Sequence, residues 1–155
     1  MKVGPVSTQQ IPPSVESNGK LVRLAGPFTY TLGWNQLAAA AAGTPQQFQV
    51  QGNTDFLWLG TSYLATIADA AQTRSSLVVP LVMQSITLTN EPFEDAETPL
   101  TGLAGSPEEG PRPLASGFWM PGGSTFKMTA RNFTQDATVY NLWVVFHGAK
   151  YLKEE

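Results

Sequence analysis

From residue 26 onward the chain is cut into short runs of β-branched and aromatic residues by Gly, Pro, Asn and Asp at fairly even spacing. That punctuation leaves no room for the crossover helices of a parallel sheet, so sequential βαβ units are excluded. What the runs do carry is a period of two, the repeat of a half-buried strand. In residues 27–32, Phe28, Tyr30 and Leu32 alternate with Pro27, Thr29 and Thr31; in residues 46–51, Phe48 and Val50 stand between glutamines before the turn pair Gly52-Asn53. Each predicts a strand with one apolar and one neutral polar face.

Residues 55–65 carry Phe56, Leu57, Trp58, Leu59, Tyr63 and Leu64, a run apolar enough to be buried on more than one side, followed by a polar, alanine-rich surface connection over 66–73. Residues 77–82 and 85–89 read as strands around Pro80, which has no N–H to donate and is placed at an edge or a bulge. Residues 124–130 form another strand. The run 138–151 is apolar on both faces through its middle and is expected to be the spine of the domain, with Trp58 and Trp143 as packing residues. Residues 37–43, mostly alanine, fit either one helical turn capped by Gly43 or a strand extension. Six to eight strands without a long helix predict an all-β fold, an antiparallel β-sandwich or jelly roll.

A chain of 155 residues is long enough for one core, and the expected organisation is one domain plus an arm. Residues 1–26 contain Pro5, Pro12 and Pro13 and few large apolar side chains, so they are read as an extended N-terminal arm, with residues 27–155 as the sandwich. Ile11, Pro12 and Pro13 are its expected anchor, since proline has little backbone entropy left to lose on binding. Residues 91–117, with five prolines and half of the acidic residues, predict a long surface loop. Beside it stand Phe118, Trp119 and Met120. Aromatic and methionine side chains are enriched in interface cores, which makes these three candidates for partner binding; the other reading of Trp119 is that it plugs one end of the sandwich.

Composition narrows function by exclusion. Only 14% of residues are charged, so much of the surface is neutral Thr, Ser, Gln, Asn and Gly, a surface suited to lasting contacts. The net charge of −3 and the scattered Lys and Arg argue against a nucleic-acid partner. With no cysteine there are no disulfides, thiolate nucleophiles or thiolate metal sites. No signal-peptide pattern or membrane-length apolar stretch is present, and a soluble protein with no membrane partner is expected.

No catalytic, cofactor or metal residue is expected either. The one histidine, His147, lies in the most strand-like run and reads as a strand residue, not a general base. Glu91, Glu94, Asp95 and Glu97 lack the spacing of a calcium loop, and the glycines of 102–123 fit no phosphate-binding motif. The tripeptide Asn132-Phe133-Thr134 matches a glycosylation acceptor but is discounted without a secretory signal.

One resemblance goes further. The order Phe28-Thr29-Tyr30-Thr31-Leu32, Asp55-Phe56-Leu57-Trp58, a proline-rich loop, residues 114–121, Gly123-Ser124-Thr125-Phe126, Arg131-Asn132-Phe133 and Asn141 through Lys150 resembles small structural proteins of tailed-bacteriophage virions. Those nearest in size and character are the jelly-roll decoration, or cement, proteins of the head. The resemblance implies a homodimer or homotrimer, assembled in the host cytoplasm and residing on the virion. There it would bridge major capsid protein subunits against internal DNA pressure, with the arm and end loops making contact. It assigns no residue a role. A neck, collar or tail component is the alternative within the same class, and a carbohydrate-binding β-sandwich stacking sugars on Trp and Tyr is the alternative outside it.

Overall fold

Phe28, Tyr30 and Leu32 do share one side of a strand, but that strand is 18 residues long. The structure, a computed structural model, describes residues 11–17, 19–38, 43–68, 75–76, 82–132 and 139–153. They form β1 (Ser14–Ser17), β2 (Lys20–Leu37), β3 (Gln46–Gln49), β4 (Thr54–Ile67), β5 (Ser75–Ser76) and β6 (Val82–Leu88). Then come β7 (Glu91–Pro92), β8 (Thr98–Pro99), the one-turn α1 (Leu100–Leu103), β9 (Arg112–Met120), β10 (Thr125–Asn132) and β11 (Tyr140–Lys153).

The first sheet runs β1-β2-β11-β4, with β9 and β5 sharing the far edge of β4. The second runs β3-β10-β6, with β7 and β8 on the far edge of β6. The chain alternates between sheets at β2, β3, β4 and β6, stays in the second for β7 and β8, then alternates again at β9, β10 and β11. The order β2-β11-β4-β9 against β3-β10-β6-β7 is the double Greek key of a jelly roll. All strand pairings are antiparallel.

The core between the sheets is aromatic. Trp58 is fully buried, with Phe126 and Phe146 edge-on at 5.5 and 5.4 Å, and its Nε1 donates to Gly60 O at 3.1 Å and Thr61 Oγ1 at 3.0 Å. Tyr30 stacks on Phe48 at 4.2 Å, and Leu32, Met128, Leu142 and Val144 fill the space around the rings. A bulge at Leu59 explains why residues 55–65 look apolar on both sides. Phe56 and Trp58 point inward before it, Tyr63 and Ala65 after it, so the inward parity switches within one strand. Opposite the bulge, β11 comes so close to β4 that a Cβ on Gly148 would lie 2.0 Å from Leu57 O.

Several expectations need correction. Residues 1–10 of the expected arm of residues 1–26 lie outside the described residues, and the rest joins the sheet early, because residues 14–17 pair with 20–23 as a hairpin and 20–26 begin β2. The signal was Asn18-Gly19, the residue pair that a two-residue hairpin turn favours, and Gly19 has the left-handed φ of +75° such a turn needs. The surface loop of 91–117 is shorter than expected and partly internal: Leu100 and Ala104 are buried, and β9 begins at Arg112. Trp143 is 39% exposed, because it alternates with the inward Leu142 and Val144. Asn132 is buried with its Nδ2 donating to Leu37 O at 3.1 Å, a placement closed to a glycan. Pro80, most of the 66–73 connection and Ala39 to Ala42 lie outside the described residues.

Candidate functional site

On β11, Leu142, Val144 and Phe146 face the core, whereas Ala149 and Tyr151 face the other side of the first sheet. There, with Val22, they make a second small cluster on which Val15, Leu57 and Trp119 pack. The Tyr151 hydroxyl donates to the Pro12 carbonyl at 2.7 Å, and the Tyr151 ring lies 4.8 Å from that of Trp119. Leu24 N donates to Pro13 O at 2.9 Å and holds the arm against β2. Burial raises the Tyr151 pKa, which keeps the phenol a proton donor at neutral pH. Trp119 Nε1 is buried with no hydrogen-bond partner among the described residues. Beside the cluster Leu24, paired with Tyr151, leaves 36% of its surface in solvent, and Ile11, next to Pro12, leaves 40%; the exposed Leu21 and Leu152 alternate with Val22 and Tyr151 and turn to the opposite face.

The corner is braced from below by Asp55. Its buried carboxylate accepts from Gly122 N at 2.7 Å and meets Lys153 Nζ at 3.5 Å, which ties the turn after β9 to the start of β4. Lys153 Nζ also donates to Gly52 O, and Lys150 Nζ to Gln51 Oε1 at 2.8 Å. The two C-terminal lysines thus hold a loop in place.

Of the six residues expected to bind a partner, the structure brings three together: Pro12 and Trp119 meet at Tyr151, and Pro13 bonds to Leu24, the strand partner of Tyr151; Ile11, next to Pro12, is 40% exposed. The other two are corrected by the strand period: Met120 is fully buried in the main core, and Phe118 turns inward between Trp58 and Phe93, at 6.4 and 5.2 Å. Sequence reasoning missed Tyr151 and Leu24, since only the pairing of β2 with β11 makes them neighbours.

The chain matches no protein-family model, and no curated protein matches it in sequence.

Elsewhere, Ser62 Oγ and His147 Nε2 are 2.7 Å apart on the outer face of the first sheet. Burial lowers the His147 pKa, so the imidazole is neutral at pH 7. Both residues are mid-strand, His147 paired with Thr29 and Gly60, and Ser62 paired with Val145 and bridged to Gly105. Their flanking amides are committed to the ladders and are not free to hold an oxyanion. Among the described residues no three His, Asp or Glu side chains come together as metal ligands. Glu97 of the acidic loop pairs with Arg131 at 3.1 Å.

Tyr151→Phe removes the bond to the arm and nothing else. It is expected to cost about 1 kcal/mol in urea unfolding and to speed hydrogen exchange at Leu24, whose amide depends on the same arm staying in place.

Proposed function

We propose that this chain is a virion structural protein that decorates the capsid, binding the major capsid protein lattice through the corner formed by the arm, Trp119 and the exposed Leu24, and that it carries out no chemistry of its own. The observation that supports this reading is the convergence of Pro12 and Trp119 on Tyr151. Anchored aromatic side chains beside exposed aliphatic ones, with a pre-ordered extended segment, are what an interface core is made of. The jelly-roll body supplies a rigid support for that corner, and the resemblance to head decoration proteins supplies the kind of partner.

The test is co-sedimentation with undecorated, expanded heads of the virus whose genome carries the chain. The wild-type protein is expected to pellet with the heads. Trp119→Ala and, separately, Leu24→Ser are each expected to lose at least about tenfold in affinity. Absence of the folded wild-type protein from the pellet overturns the reading, and so does density at the neck or tail with none on the head lattice.

A further inference from the structure

We infer that the free edge of β2 takes up an extended segment of the capsid protein as an added strand. The inference rests on the proposed partner and names where this chain receives it and in what form. β1 pairs with β2 as far as Arg23, and Leu24 N donates to Pro13 O. Beyond that point, among the described residues, β2 has a strand partner on the β11 side only. The ladder fixes which backbone groups are left over. Tyr63 N donates to Gly105 O, and Gly105 N to Thr61 O, on the side of β4 away from β11. Tyr63 stands opposite Val144 and Thr61 opposite Phe146, so Val144 and Phe146 turn their backbone groups the other way, toward Leu32 and Tyr30. The N–H and C=O groups of Thr29, Thr31 and Gly33 then point off the edge, in step with Pro27, which has no N–H to offer.

Every other edge among the described residues is short or guarded. β7 is Glu91-Pro92, β8 ends in Pro99, and β9 opens with Arg112-Pro113. β1 carries Glu16 and follows Pro12-Pro13, and β3 and β5 are four and two residues long. Charge and proline on an edge strand keep other chains from pairing with it. β2 has no charged residue after Arg23 and no proline after Pro27.

An open edge selects a polypeptide backbone, because its donors and acceptors recur at the strand repeat and are met one for one only by another extended chain. On the core side of the edge Phe28 and Tyr30 stay half-buried, their rings edge-on at 5.0 Å, and on the other side stand Thr29 and Thr31. The matching segment is therefore uncharged and apolar at every second position, so that its side chains cover the two rings, and it needs about seven residues to run from Pro27 to Gly33. Pro13, bonded to Leu24, ends where such a segment begins. The added strand thus continues the line of β1 out of the arm corner, and one capsid surface can engage both.

Hydrogen exchange read amide by amide, on the full chain free and bound to undecorated, expanded heads, tests this. In the free protein the amides of Thr29, Thr31 and Gly33 are expected to exchange fast and those of Tyr30 and Leu32 slowly. On heads the first three are expected to slow at least about tenfold. Thr31→Pro removes one outward donor and no bond to β11, and it is expected to stay folded and to lose at least about tenfold in affinity for heads. A wild-type protein that pellets while the three amides exchange as before overturns the inference and leaves the proposed function standing. So does a folded Thr31→Pro protein that binds like the wild type. Slow exchange at the three amides in the free protein also overturns it: at every concentration, the edge is covered within the chain, and only at high concentration, a second copy is the occupant. A wild-type protein that does not pellet brings down the proposed function and this inference together.

Discussion

Trp58→Ala is expected to lower the unfolding free energy by about 3–5 kcal/mol, a large share of the 5–15 kcal/mol that holds a domain together. Trp58 is the largest fully buried side chain, and it touches both sheets of the sandwich through Phe126 on β10 and Phe146 on β11. Truncation removes that ring contact and leaves a cavity the rigid sheets cannot close. It also takes away the indole donor shared by Gly60 O and Thr61 Oγ1 at the turn of parity in β4. Urea unfolding followed by circular dichroism reads the loss, and a cost under about 1 kcal/mol would mean that Trp58 is not at the centre of the core.

Gly148→Ala is expected to cost about 3 kcal/mol although it adds a single methyl group. The new Cβ would sit 2.0 Å from Leu57 O and 2.8 Å from Phe56 Cζ, and the nearer atom is backbone in a hydrogen-bonded strand. Relief requires β4 and β11 to part where they pack closest, beside the Leu59 bulge. Gly52→Ala serves as the control, since a Cβ there meets nothing within 4 Å, and it is expected to stay within about 0.5 kcal/mol of the parent. Equal melting temperatures for the two variants would contradict the close approach of the central strands.

The period of two made the strands legible, as with Phe48 and Val50 among the glutamines, and the absence of crossover helices made the sandwich legible. What alternation could not carry was the parity switch at Leu59, because a bulge shifts register without leaving a compositional trace, so residues 55–65 read as apolar throughout. Trp143 was misread for a related reason. In a strand apolar on both faces, sequence does not say which face meets the core, and the pairing with Gly33 and Leu64 decides it. The partner-binding corner was half legible: prolines and an isolated Trp pointed to Pro12 and Trp119, but Tyr151, the residue that joins them, is 139 positions from Pro12 and had no local signal. Met120 was misassigned because enrichment of a residue type at interfaces says nothing about which way a strand turns it.

Hydrogen exchange on the protein bound to expanded heads, compared with the free protein, is the most direct test of the arm corner as the capsid contact. Binding is expected to slow exchange in residues 11–24, on the exposed side of the corner, and in residues 118–121 around Trp119, while residues 46–51 of the second sheet exchange as in the free protein. Protection confined to the second sheet, with residues 11–24 and 118–121 unchanged, would contradict the account.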